Sequence, residues 1–355
     1  MRKILDIRVD GRVPYMINNL RLNNYLRRKG RRSDRMGTTH RVVFGNALNM
    51  KELKDSIIHL VVTSPPYYNA PFDYPDFFKT YSEFLRTMIG VAKELKRVVA
   101  KGRIVCFVVD DMLVDGEKFP VVADITKTMM RAGFRYRDRI VWIKPKGYVR
   151  ISRRSGVLVQ HPYPMYFYPD NMQESILIFQ KGKFDYSYLK TLPPEVLEAS
   201  KIDLREYNEK EIPLTVWDDI TGQEHNVVPD AWRITNVLPM KGRIEEGVAA
   251  FPEEIPRRLI KLFTFVGENV LDPFAGSGTM LKVAKELGRN SFGYEMDLEL
   301  KPVIAEKLGY KQSALLGEKV EFIEREDADH FRTNLQKLVK QKKSVTQSLS
   351  DDHHC

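Results

Sequence analysis

The chain has 355 residues, 43% of them hydrophobic and 29% charged, the balance of a globular protein with a sizeable core in one large or two ordinary domains. Two cysteines, Cys106 and Cys355, exclude a disulfide framework or a Cys/His zinc site, and no apolar run is long enough to span a bilayer. A formal net charge of +10 and a pI near 9.3 point to a polyanionic partner, nucleic acid being the commonest.

The first residues, Met-Arg-Lys-Ile-Leu-Asp, lack the apolar core of a signal peptide, so an intracellular, cytoplasmic protein is expected. Residues 1–40 read as a basic N-terminal arm. Arg27, Arg28, Lys29, Arg31, Arg32 and Arg35 face one acid, Asp34. The arm suits phosphate contacts or a solvated leader equally.

Regular alternation begins at Arg41. A short strand, Val42–Phe44, ends at Gly45-Asn46-Ala47, and a short helical piece around Met50–Leu53 leads to strand Ile57–Val62. That strand stops at Ser64-Pro65-Pro66-Tyr67, because proline cannot donate to a ladder. Residues 81–99 carry helical periodicity with Ser82 as N-cap, and Gly102 ends that unit. Strand Ile104–Val109, whose run of apolar residues includes Cys106, helix 120–132 and strand Arg139–Ile143 follow. This β-α-β-α-β order implies a mostly parallel sheet covered on both faces.

Residues 145–172 are irregular, first basic (Lys146, Arg150, Arg153, Arg154) and then rich in Tyr and Pro; strand Ser175–Gln180 closes this half. Residues 183–234, with Trp217 and Trp232, have weak periodicity and read as a small inserted module rather than part of the sheet. Alternation resumes after Phe251: helix 252–266, strand Asn269–Leu271, a glycine turn, helix Met280–Leu287, and strand Ser291–Tyr294 ending at Glu295-Met-Asp297. Residues 311–355 form a charged C-terminal segment with one strand-like piece, Val320–Ile323, and a frayed tail. The expected organisation is thus 1–40, 41–182, 183–234, 235–310 and 311–355.

Asp272-Pro-Phe274-Ala-Gly276-Ser277-Gly278-Thr279 is a strand, glycine turn and helix start. Its glycines let backbone approach a ligand, and the helix start offers free N–H groups. The third glycine of a dinucleotide fingerprint and the lysine of a P-loop are both missing, which disfavours a nucleoside triphosphate. Glu295, at the end of the next strand, sits where an acid accepts hydrogen bonds from ribose hydroxyls. Ser64–Tyr67 offers a hydroxyl, rigidly aimed carbonyls and a flat aromatic face, a set suited to a planar, amino-bearing ring.

Ser-Pro-Pro-Tyr followed far downstream by Phe-Ala-Gly-Ser-Gly resembles the permuted (β-type) amino-methylating DNA methyltransferases, and motif order matches over residues 41–300. Phe251-Pro252-Glu-Glu-Ile-Pro-Arg-Arg-Leu-Ile260 resembles the helix that precedes the glycine loop in that family. The resemblance implies an α/β, Rossmann-like AdoMet-dependent methyltransferase sheet in circularly permuted motif order, with a small inserted target-recognition module. On the family's strand order 3-2-1-4-5-7-6, Asn269–Leu271 is strand 1, Ser291–Tyr294 strand 2 and Ile57–Val62 strand 4. Strands 1 and 4 are neighbours at the switch point.

The implied cofactor is S-adenosyl-L-methionine (AdoMet), held by Asn46, Phe251, Pro252, Asp272, Phe274, Gly276, Ser277, Gly278, Thr279 and Glu295. The implied catalytic set is Ser64, Pro65, Pro66 and Tyr67, with no metal. The implied substrate is a flipped-out base of double-stranded DNA, with RNA an alternative. The expected DNA contacts are Lys146, Arg150, Arg153 and Arg154, each with a solvated-loop alternative; Tyr163, Tyr166, Phe167 and Tyr168 stack on bases or fill the core. Ser rather than Asp before Pro-Pro-Tyr resembles the cytosine-N4 members more than the adenine-N6 members. A restriction-modification setting follows from the same resemblance. The family often has Gly-Asp after strand 3, where this chain has Gly45-Asn46. A rival for that position is Glu326-Asp327 after Val320–Ile323; Asn46 is preferred because it lies just before the Ser-Pro-Pro-Tyr strand.

Overall fold

The computed structural model describes residues 37–66, 68, 78–114, 117–143, 163–164, 173–217, 251–313 and 317–328. Beyond Gly37 these lie in one compact unit that begins at Thr38. Residues 1–36 of the expected arm 1–40, Tyr67, Lys146, Arg150, Arg153, Arg154, Tyr166–Tyr168, Trp232 and Cys355 fall outside the described residues.

The strands are β1 Thr39–Phe44, β2 Ile58–Thr63, β3 Val99–Val109, β4 Met112–Val114, β5 Glu117–Phe119, β6 Arg135–Ile143, β7 Gln173–Gln180, β8 Val216–Trp217, β9 Asn269–Asp272, β10 Asn290–Glu295 and β11 Lys319–Glu324. The helices are α1 Tyr81–Val98, α2 Val121–Arg131, α3 Pro194–Ala199, α4 Leu204–Glu209, α5 Glu254–Phe263, α6 Thr279–Glu286, α7 Lys301–Lys307 and α8 Tyr310–Ser313. Nine strands form one sheet in the order β11-β1-β10-β9-β2-β3-β7-β6-β8. All pairings are parallel except those of β7, which is antiparallel to β3 and to β6.

The permuted order implied by the resemblance is the observed one: β9 lies between β10 and β2 although the chain makes β2 first. β1 pairs directly with β10 and β11 lies outside β1, so Val42–Phe44 takes the third-strand position over Val320–Ile323. Side chains alternate between two cores. On one face Val42, Leu60, Cys106, Val270 and their neighbours pack against Ile255, Leu259, Met280, Leu281 and Ile304. On the other, Val43, Val61, Phe107, Leu271 and Tyr294 pack against Phe84, Met88, Leu95, Ile125 and Met129. Burial of both faces explains the unbroken apolar run of β3. Cys106 is a core residue, and burial pushes its thiol up.

Four local expectations are corrected. The N-cap of α1 is Thr80, not Ser82: its side chain accepts from the Glu83 N–H, and Glu83 in turn accepts from the Lys79 N–H. Met50–Leu53 is a turn rather than a helical piece. β3 does not begin after Gly102 but at Val99, and passes through Gly102 at φ +82°. An added Cβ there would lie 2.5 Å from Phe184 Cα, so close backbone contact and positive φ select glycine inside a strand. Finally, the module after β7 rejoins the sheet, because Val216 and Trp217 pair with Val141 and Trp142. Trp217 is buried, donates to the Ile212 carbonyl and stacks on Arg258, which explains why this weakly periodic stretch is held.

Candidate functional site

The ends of β1, β10, β9 and β2 converge along the C-terminal edge of the sheet, the place where open α/β sheets bind ligands. β9 delivers Asp272 and then the glycine turn. The turn is stitched to β10 by Ala275 N–H donating to the Tyr294 carbonyl at 2.8 Å, and closed by Gly278 N–H donating to the Ala275 carbonyl at 2.8 Å. Gly276 and Gly278 take φ of +51° and +80°. At Gly278 an added Cβ would meet Ile304 of α7 at 3.3 Å, so this glycine answers to the helix behind the turn as well as to its φ. Ser277 is buried and accepts from Lys307 Nζ at 2.7 Å. Thr279, also nearly buried, starts α6, with Gly278 in the capping position.

Glu295 ends β10 beside that turn. Its Oε2 accepts from the Gly276 N–H at 2.7 Å, and its Oε1 from the N–H groups of Met296 and Asp297 at 2.9 and 3.0 Å. The carboxylate is thereby fixed in place at the end of β10, beside the glycine turn. The Glu295 carbonyl accepts from the Gly45 N–H at 2.7 Å, which ties the β1 loop to the same edge.

In that loop the Asn46 side-chain oxygen accepts from the Leu48 N–H at 2.9 Å. Asp327, offered by the sequence as a rival to Asn46, meets it instead: its Oδ2 accepts from the Asn46 N–H at 3.1 Å. Arg325 completes the contact. It donates to the carbonyls of Asn46 and Asn49 at 3.2 and 2.5 Å, pairs with Glu52, and stacks on Tyr294. Burial works to raise the Glu52 carboxyl, but hydrogen bonds from Arg325 hold it below its ordinary value. Gly45 is required here, since an added Cβ would fall 2.6 Å from Arg325 Cδ and 2.7 Å from Asp327 Oδ1. The sequence carries no signal for this clamp beyond the strand-then-acid pattern of Val320–Asp327.

β2 delivers Ser64, Pro65 and Pro66, with Pro65 buried and its two neighbours half-buried. Thr63, missed in the sequence, is fully buried and donates to Asp272 Oδ1 at 2.6 Å. The same oxygen accepts from the Phe274 N–H at 3.0 Å. Burial pushes the Asp272 carboxyl up to about 8, against the donation from Thr63 and Phe274, and the Glu295 charge adds to the rise. Phe251 and Phe274 are partly buried against opposite cores, while the Pro252 carbonyl accepts from the Ile255 N–H as α5 begins.

β6 ends at Ile143 on the same C-terminal edge as Thr63, because β6 runs parallel to β2 through β3 and its antiparallel neighbour β7. Tyr163 is exposed, which removes it from the core. Among the described residues no cluster of His, Cys, Asp and Glu could hold a metal ion, and no helix is long and apolar enough to cross a membrane.

The family model described as DNA methylase, of the N6/N4 type, matches residues 58–307. The chain is 34% identical to the Type II methyltransferase M.MjaI of Methanocaldococcus jannaschii, over 81% of this chain and 97% of the relative. It is 30% identical to the Type II methyltransferase M.MthZI of Methanothermobacter thermautotrophicus, over 77% of each. A Thermus thermophilus protein assigned as a DNA modification methylase, solved in complex with S-adenosyl-L-methionine, superposes with a TM-score of 0.58 at 25% identity, covering 80% of this chain and 99% of that one.

Proposed function

The chain belongs to the N6/N4 DNA methylase family, and from that premise we propose that it transfers a methyl group to the exocyclic N4 of a cytosine turned out of duplex DNA, beside a restriction enzyme in the cytoplasm. AdoMet is the methyl donor; its sulfonium makes the methyl electrophilic. The observation that carries the cytosine reading is the serine at position 64, which follows β2, the neighbour of the strand that leads into the glycine turn.

The geometry of the described residues and the motifs support the following roles. Glu295 takes the ribose hydroxyls. Gly276 to Thr279 give close backbone approach and helix-start N–H groups for the methionine part, with Phe251, Pro252 and Phe274 as apolar walls. The Asn46 loop, braced by Asp327 and Arg325, takes the adenine. The target amino group donates to the Ser64 hydroxyl and the Pro65 carbonyl, which favours a pyramidal nitrogen whose lone pair is less delocalised into the ring. Tyr67 stacks on the base. Alignment supplies much of the remaining acceleration. No covalent nucleophile is required, and Cys106 lies in the core. Lys146, Arg150, Arg153 and Arg154, which follow β6 in sequence, neutralise phosphates or reach guanine edges.

The test is incubation of the protein with AdoMet and unmethylated genomic DNA, followed by nucleoside mass spectrometry. N4-methylcytosine is the expected product. N6-methyladenine instead would overturn the cytosine assignment and keep the chemistry. Methyl label that appears only in RNase-sensitive product would overturn DNA as substrate.

A further inference from the structure

β2 and β9 are ladder partners as far as Val61 and Leu271. Beyond that pair each keeps its outer neighbour: Val62 and Thr63 stay with Cys106 and Phe107 of β3, and Asp272 with Gly293 of β10. The ladder therefore stops short of the chain ends that carry Ser64 and the glycine turn, leaving a gap in the backbone pairing. The Thr63 hydroxyl crosses it, reaching Asp272 Oδ1 at 2.6 Å from a position 209 residues away in sequence. Both residues are inside, Thr63 at 0% and Asp272 at 3% exposure, so water does not compete for the bond. The accepting oxygen also holds the Phe274 N–H, so the contact passes from the residue before Ser64 to the first turn of the glycine loop.

We propose that Thr63 is a positioning residue for methyl transfer: its hydrogen bond to Asp272 fixes the Ser64–Pro66 end of β2 at one distance from the glycine turn. This rests on the methyl-transfer reading above. A residue that aligns two bound partners acts on the chemical step more than on the affinity for either partner, because misplacement by about 1 Å can cost a hundredfold in rate.

The test compares single-turnover methylation of unmethylated genomic DNA by the wild type, Thr63→Val and Thr63→Ser, with AdoMet and DNA affinities measured separately. Thr63→Val keeps the shape and removes the donor. The expected result is a rate at least about tenfold lower in Thr63→Val, affinities for AdoMet and DNA within about threefold of wild type, and recovery to within about threefold in Thr63→Ser. The proposal fails if Thr63→Val keeps the rate within twofold, if AdoMet affinity falls in step with the rate, or if Thr63→Ser is as slow as Thr63→Val. Should Thr63→Val not fold, Thr63→Ser and Thr63→Cys are compared: a much faster serine variant supports the hydroxyl's role, and equal rates overturn it. A wild type that transfers no methyl to DNA overturns the parent reading and this one with it. An active wild type with an equally active Thr63→Val overturns this one alone.

Discussion

Glu295 grips the glycine turn from the neighbouring strand: its Oε2 accepts from the Gly276 N–H at 2.7 Å while its other oxygen is held by Met296 and Asp297. The acid proposed to take the cofactor's ribose is thus also a strut of the loop proposed to take its methionine. Glu295→Gln keeps the size but turns one acceptor into a donor that faces backbone N–H groups. Hydrogen bonds to charged groups contribute about 1.5–3 kcal/mol. AdoMet affinity measured by calorimetry should therefore fall roughly ten- to a hundredfold. An unchanged affinity would remove Glu295 from the cofactor site.

At the other side of the cleft, Ser64→Ala removes the proposed acceptor for the target amino group. Turnover should drop about a hundredfold, in the range seen for losing one preorganised polar group at a reacting centre. Tyr67→Ala should lower turnover about tenfold or more through lost stacking, with AdoMet affinity changed only modestly. Parallel losses of turnover and AdoMet affinity in Tyr67→Ala would contradict a stacking role.

Asp272 makes a prediction about pH. Its carboxyl is raised by burial to about 8 in the folded chain, against an ordinary value of 3.8. Between those values the folded state binds the proton that the unfolded state has released. Its contribution to stability is therefore full below about 4 and is lost as pH rises through about 8. Asp272→Asn carries no such charge. The stability of the wild type relative to Asp272→Asn, from urea unfolding without cofactor, should decline steadily from pH 5 to pH 8.5. Curves that stay parallel across that range would show that Asp272 ionises at its ordinary value.

The clamp on the β1 loop predicts a phenotype for a small change. In Gly45→Ala the new methyl would sit 2.6 Å from Arg325 Cδ and 2.7 Å from Asp327 Oδ1, so these side chains must shift and the contacts of Arg325 with Glu52 and the Asn46 carbonyl are strained. Overpacking of this kind costs about 1–3 kcal/mol, or several degrees in melting temperature. AdoMet affinity should fall with it, because Asn46 loses its support. A variant with lower melting temperature and undiminished AdoMet binding would separate the clamp from the cofactor site.

DNA binding should weaken steeply with salt, since the chain carries a net charge of +10 and each neutralised phosphate releases counterions. A flat response between low and moderate salt, measured by fluorescence anisotropy with duplex DNA, would argue against phosphate contacts by the basic segments.

The sequence by itself determined eight of the sheet's nine strands and the four longest helices, the glycine turn, the abrupt end of β2 at two prolines and the acid at the end of β10. Each of these is a local matter of period, turn chemistry or a missing N–H, so it is written in a few consecutive residues. Even the permuted sheet was legible, through the resemblance of the two motifs to a family whose strand order makes those strands neighbours. What local pattern could not supply was anything that depends on which residues lie opposite after folding. Gly102 looked like the end of a unit and is a strand residue, because Phe184 presses against it. Val216–Trp217 looked like part of a separate module and adds to the sheet, because β6 has an open edge there. Asn46 and Asp327 looked like rivals for one position and are hydrogen-bond partners. The Thr63–Asp272 bond has no sequence signature at all. It exists because β2 and β9 are adjacent, which brings a hydroxyl and a carboxylate 209 residues apart into a site closed to water.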